Sequence, residues 1–422
     1  MNYKKTKLKN GLRVITVPMK GTETATVMIM AGVGSRYETE KEAGLSHFIE
    51  HMFFKGTKKR SNALAITEEL DSIGGEFNAF TSKDTTGYYA KVDSKHFEIA
   101  LDVISDMYLN SKIAAEEIER ERGTILQELN MYKDTPVRSV SDVFENLLYK
   151  KSPLGREIIG YKKTIKAFKR KDFIDYIKRF YATNNSVICI AGKFNEKKIT
   201  SQIKKYFSGM KNRQKSEFQK VAEKQLKPQV KLKYKKTDQT HLVLGMRAYD
   251  YNHKDRFALS VLAVILGGNM SSRLFIEVRE RRGLAYSVKT GTEAYSDCGY
   301  LATQAGVEHK NLEKTVEIIL KEYKKIASKK VGDKELQKAK DYIKGKGIMG
   351  FESSDEVAMF FIDHEVKKKK IMPMKELFEK IDKVTADDIL RVSRDIFKSE
   401  KLNLAVIGPR RDGKGLERLM KI

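Results

Sequence analysis

His47-Phe48-Ile49-Glu50-His51 sets two imidazoles four residues apart with a carboxylate directly before the second. On a helix, positions i and i+4 lie on one face, so the two rings converge and the i+3 carboxylate of Glu50 projects beside them. That is the donor chemistry of a hydrolytic metal centre: two neutral nitrogen ligands, and a base within reach of a water. The order His-x-x-Glu-His inverts the commoner His-Glu-x-x-His and needs a third protein ligand from elsewhere in the chain. An ordinary amphipathic helix can also carry such a pattern, so the surroundings decide.

A second helical stretch, Glu116 to Asn130, supplies the candidate. Glu121 and Glu128 are seven apart and therefore share a face. Most charges in this stretch read as solvated surface. Glu128 differs, because Ile125, Leu126 and Leu129 around it should face a core, where an unpaired carboxylate is costly and a bound cation would offset the cost.

With these residues the chain resembles the pitrilysin/insulinase family of zinc metallopeptidases, most closely its half-length members of the mitochondrial processing peptidase β-subunit type. The 76 residues between His51 and Glu128 fall within the spacing that family uses. Flanking text also fits: Gly44-Leu45-Ser46 before the motif, Met52-Phe53-Phe54-Lys55-Gly56-Thr57 after it, and Ile73 to Thr81 beyond. The resemblance implies one Zn²⁺ per chain on His47, His51 and Glu128. It also implies Glu50 as general base and Glu121 as a catalytic support behind the metal. In Arg279 to Val288 it implies that Arg279 and Tyr286, seven apart, donate hydrogen bonds to the substrate carbonyl and developing oxyanion. From spacing alone those two read as a surface arginine and a core tyrosine. Phe77-Asn78-Ala79-Phe80-Thr81 resembles the family's edge strand, whose backbone pairs with an extended peptide, with Asn78 and Ala79 as the contacts.

Composition bounds the rest. A chain of 422 residues with 41% hydrophobic content can bury a large core and divide into domains. Two cysteines, Cys189 and Cys298, exclude a disulfide scaffold and read as structural. No apolar run approaches the ~18–20 residues that cross a bilayer. The N-terminus passes directly into a strand-like segment without a secretory signal, so a cytoplasmic location is expected. The net charge of +26 is spread along the chain, with one dense run at Lys367 to Lys370, and no aromatic-interleaved basic patch accompanies it. Nucleic-acid binding is therefore not expected. Gly267-Gly268-Asn269 lacks the ending of a phosphate-binding loop and reads as a turn before a helix.

The order of elements repeats. Strand-like Leu12–Val17 and Thr26–Ala31, the motif helix, the strand at Tyr88–Val92, a helix over Phe97 to Met107 and the apolar run Val187–Gly192 make one copy. His241–Gly245, a helix around Ala258 to Leu266, Tyr300–Ala305, a helix over Leu312 to Leu320 and Leu402–Pro409 make the other. The expected fold class is α+β. Residues 1–210 form the catalytic zinc-binding domain and 211–229 a polar linker. Residues 230–422 form a homologous domain without a metal site. By resemblance, both domains are sandwiches of antiparallel sheet and helices that together make one lobe. The implied substrate is an unfolded peptide held in a closed chamber. The implied partner is a second copy, or an inactive relative in a heterodimer. A presequence-processing peptidase and a noncatalytic core subunit are the alternatives; the second would be expected to have lost ligands that are intact here.

Overall fold

The computed structural model describes residues 2–213, 217–222, 224–368 and 370–422. Parts of the expected linker (214–216 and 223) and of the lysine run (Lys369) lie outside the described residues.

Each half of the chain builds one sheet. The first contains β1 (Lys4–Lys7), β2 (Arg13–Pro18), β3 (Thr24–Ala31), β4 (Glu76–Thr81), β5 (Thr86–Asp93) and β6 (Ser186–Gly192), in the order β1-β2-β6-β3-β5-β4. The second contains β7 (Gln229–Tyr234), β8 (Thr240–Ala248), β9 (Ala285–Ala294), β10 (Gly299–Val307) and β11 (Leu402–Gly408), in the order β7-β11-β8-β10-β9. Apart from the added β1, the two orders correspond strand for strand. Both sheets are antiparallel except for one pair, β2 with β6 and β7 with β11. The Arg13–Val187 pair of the first sheet has its counterpart in Gln229–Asn403 of the second. The α+β fold with a duplicated plan is therefore present at the level of register.

The central strands β6 and β11 are buried along their whole length, which is why both read as continuous apolar runs: helices cover both faces. On the first sheet one face carries the helix Phe97–Asn110. The other face is covered by the helix Ser354–Lys368, which inserts Val357, Ala358, Phe361 and Ile362 against Ile15, Val17, Met28, Met30, Val187 and Cys189. A fully buried side chain of this size contributes about 1.5–3 kcal/mol. Glu365, fully buried on the same helix, is ion-paired with Arg13 (2.9 Å) and Lys5 (2.7 Å).

The chain divides into two compact units: Met1–Leu129 with Glu157–Gln219 and Ile348–Met374, and Asn130–Arg156 with Lys220–Gly347 and Lys375–Ile422. The strands of the first sheet all lie within residues 4–192 and those of the second within 229–408, while two helices pack on the sheet of the other half of the chain. Ser354–Lys368 belongs with the first sheet, and the helix Pro136–Leu148 belongs with the second, where Val140, Val143, Phe144 and Leu148 meet Val243, Ala405 and Ile407. An amphipathic pattern specifies that a helix needs an apolar partner, not which sheet provides it.

Gly267 lies against β9, where an added Cβ would sit 2.6 Å from the Thr290 backbone nitrogen, so the glycine serves close packing. Among the described residues no helix is long and apolar enough to cross a membrane.

Candidate functional site

The motif forms α1, Leu45–Met52, and its position is fixed at the N-terminus. Glu38 accepts hydrogen bonds from the backbone N–H groups of Gly44 (2.8 Å) and Ser46 (2.7 Å), placing a carboxylate where the helix dipole is positive. Gly44 has φ of 96°, and a Cβ there would meet Ile159 O at 2.5 Å, so the turn into the helix requires glycine. Ser46 Oγ bonds to Tyr176 OH (2.8 Å), and Phe48 packs edge-on against Phe173.

A second helix, Ala115–Asp134, buries Ile118, Ile125 and Leu129 and carries Glu121 and Glu128 on the face toward α1. Glu128 Oε2 lies 3.6 Å from His47 Nε2 and 3.6 Å from His51 Nε2. One donor atom from each of His47, His51 and Glu128 lies within 4.8 Å of the others. Glu121 Oε1 meets His51 Nδ1 at 2.8 Å, so the outer nitrogen of this ring is engaged while Nε2 faces Glu128.

Glu50 stands beside this group, half-buried, and accepts a hydrogen bond from Thr81 Oγ1 at the end of β4. Burial raises its pKa above the usual carboxylate value; the Thr81 bond and His51 oppose that rise, while Glu128 adds to it. For His51, burial alone would lower the pKa. The bond to Glu121 and the fields of Glu50, Glu121 and Glu128 outweigh it, and the net shift is upward. Glu121 is held below the ordinary range: burial pushes upward, but hydrogen bonds from His51 and Lys55 win.

A cavity of about 310 Å³ opens on the site, lined by Glu50, His51, Phe54, Lys55, Phe77, Asn78 and Glu121. Asn78 and Ala79 lie on β4, the terminal strand of its sheet, and the Asn78 side-chain oxygen accepts from the Ala79 N–H (2.8 Å). Arg279 and Tyr286 belong to the second unit, where the guanidinium carbon lies 4.8 Å from the Tyr286 ring centroid and 4.9 Å from that of Phe275. Tyr286 is 79% exposed, so it is not the core tyrosine its spacing alone suggested.

Residues 13–162 match the family model described as Insulinase (Peptidase family M16), and residues 167–343 match the Peptidase M16 inactive domain. A Rickettsia felis protein described as an uncharacterized zinc protease is 37% identical, over 97% of this chain and 98% of its own. The chain belongs to peptidase family M16. A Bacillus subtilis protein, likewise described as an uncharacterized zinc protease, is 33% identical over 95% of this chain and 97% of its own. The crystal structure of a protease from Helicobacter pylori superposes with a TM-score of 0.90 at 25% identity, covering 97% of this chain and 99% of that one. A chain of Complex III2 from Candida albicans shares the fold, with a TM-score of 0.85 at 17% identity, over 99% of this chain and 100% of that one.

The M16 segment 13–162 contains His47, Glu50, His51, Glu121 and Glu128, and the inactive-domain segment contains Arg279 and Tyr286. Among the described residues no metal-capable cluster occurs in the second unit. The donor set itself fits a small divalent cation. Ligands about 2.0–2.1 Å from one ion in tetrahedral geometry lie about 3.4 Å apart, close to the two 3.6 Å separations measured here.

Three further residues bond to the residues of this site, and the motif spacing alone gives none of them a role. Glu38, Thr81 and Lys55 act through contacts to Gly44 and Ser46, to Glu50 and to Glu121. Only Lys55, four residues after His51 and thus on its helical face if the helix ran on, could have been suspected.

Proposed function

We propose that this chain is a zinc-dependent endopeptidase, with one zinc ion on His47, His51 and Glu128. The convergence of those three donors beside the half-buried carboxylate of Glu50 carries the reading. When bound, zinc supplies Lewis acidity, making water a nucleophile at neutral pH and polarising the scissile carbonyl. Glu50 takes a proton from the attacking water as the C–O bond forms. It then delivers that proton to the amine nitrogen as the C–N bond breaks. Glu121 orients His51 through its Nδ1, and Arg279 and Tyr286 donate hydrogen bonds to the substrate carbonyl and its oxyanion.

The substrate in this reading is an extended, unfolded peptide. Its backbone adds to β4 beside Asn78 and Ala79, displacing the Asn78 side chain from the Ala79 N–H. We further assign the working form as a homodimer in the cytoplasm, with pairing to an inactive relative as the other arrangement, enclosing the site in a chamber. Sedimentation at micromolar concentration, with digestion of unfolded peptides against a folded control, tests this. A monomer that degrades the folded control as fast as the peptides refutes the chamber.

For the chemistry, Arg279→Ala and Tyr286→Phe should retain zinc and lose about 10²–10³-fold in turnover, the effect of removing an oxyanion donor. Unchanged kcat/KM in both returns the pair to a structural role.

A further inference from the structure

Glu121 does not serve His51 alone. Its two carboxylate oxygens are divided: Oε1 meets His51 Nδ1 at 2.8 Å, and Oε2 meets Lys55 Nζ at 2.5 Å. The Glu121 side chain is 6% exposed, whereas the Lys55 side chain keeps 25% of its surface and lines the cavity with Glu50 and His51. Lys55 follows α1 in the turn where its backbone N–H bonds to Met52 O (3.1 Å), so the ammonium returns toward the helix that carries both histidines.

We propose that Lys55 is a positioning residue for the metal centre, holding Glu121 in the orientation that fixes the His51 ring with Nε2 toward Glu128. The inference rests on the zinc reading above and extends it.

Two physical arguments carry it. A carboxylate bonded at one oxygen can swivel about that bond, but one bonded at both oxygens cannot. Here the second bond is charge-assisted and comes from the same stretch of chain as the ligand being oriented. An imidazole whose Nδ1–H is held by a fixed carboxylate is locked into the tautomer that presents Nε2 as a ligand.

The second argument is charge. Glu121 and Glu128 both meet the His51 ring and Glu50 lines the same cavity, so three carboxylates, when ionised, surround one site and a dication balances only two of them. The ammonium of Lys55 balances the third, so the loaded site is neutral as a whole. Without Lys55 the half-buried site carries a net negative charge in a poorly screened environment.

The test is zinc affinity of the full-length protein, measured by competition with a chromophoric chelator, for wild type, Lys55→Met, Lys55→Gln and Lys55→Arg. Loss of an outer partner of this kind weakens metal binding about 10–100-fold, so the Met and Gln variants should weaken it by at least about tenfold. Arg, which keeps the charge and donors, should recover most of that loss. Unchanged melting temperature of the zinc-free variants would separate positioning from folding, and ¹⁵N shifts of the His51 ring should show the Nδ1–H tautomer in wild type and a mixture in Lys55→Met. If Lys55→Met and Lys55→Gln bind zinc as tightly as wild type, the inference is overturned. It is equally overturned if only KM rises, which would make Lys55 a substrate contact. A wild type that binds no zinc would instead sink the underlying metal reading.

Discussion

Thr81 donates its hydroxyl hydrogen bond to the carboxylate of Glu50. The first residue ends the edge strand β4, and the second is the base candidate of α1, so the strand proposed to bind substrate is tied directly to the group proposed for proton transfer. Thr81→Val keeps the β-branched shape and removes the donor. The variant should retain zinc and lose about tenfold in kcat/KM, equal to roughly 1.4 kcal/mol of transition-state stabilisation. Steady-state kinetics on a quenched peptide decides it; an unchanged kcat/KM would make the contact incidental.

Glu128→Ala leaves two imidazoles without their oxygen partner, an incomplete site. Metal analysis of the purified variant should find well under one zinc per chain and no peptidase activity. Full stoichiometry would place the third ligand elsewhere.

Zinc affinity should fall as pH falls, starting above the ordinary imidazole range. Burial alone would lower the His51 pKa, but Glu121, Glu50 and Glu128 raise it overall, so in the zinc-free protein a proton competes with the metal at higher pH than for a free histidine. Below that raised value the apparent affinity should weaken by up to about tenfold per pH unit for one competing proton. Chelator competition between pH 6 and 8 measures the slope, and a flat profile contradicts the assignment.

Arg60, 6% exposed, pairs with Glu69 (2.6 Å), Asp102 (2.9 Å) and Asp106 (3.1 Å), joining the turn after α1 to the helix Phe97–Asn110 and to the helix Ala63–Asp71. Arg60→Ala removes the Arg60 cation from the buried carboxylate of Asp106, while Asp102 keeps Lys59, and should destabilise by about 3 kcal/mol. Burial pushes the Asp102 pKa up, but hydrogen bonds from Lys59 and Arg60 outweigh it and lower it overall. A lowered folded-state pKa gives stability that is complete above the unfolded value and lost as pH falls through the folded one. The deficit of Arg60→Ala relative to wild type should therefore narrow below about pH 4. Urea midpoints at pH 7 and pH 3 test the sign, and a deficit that widens in acid would refute it.

How far the sequence reaches differs between elements. β6 and β11 are readable because burial on both faces leaves a run such as Val187–Ala191 with no polar residue at all. The motif helix is readable because two ligands and a base must recur at helical spacing. By contrast β1, Lys4–Lys7, has no apolar residue to mark it and exists through its pairing with β2. The exchange of Pro136–Leu148 and Ser354–Lys368 between sheets is hidden because each helix displays only its own apolar stripe. Glu128 stood out as a carboxylate among core-facing residues, and it comes within 3.6 Å of both histidines. Thr81 and Glu38 were not legible, since their roles arise where distant segments meet.

The most direct test is hydrolysis of an unfolded peptide by wild type and Glu50→Gln, each carrying one zinc per chain by metal analysis, with and without chelator. Wild type should cleave, lose activity on chelation and recover it when zinc is restored. Glu50→Gln should keep its zinc and lose about 10²–10⁴-fold in rate, the usual contribution of a positioned general base. A zinc-loaded Glu50→Gln that cleaves at the wild-type rate, or a wild type indifferent to chelator, would contradict the account.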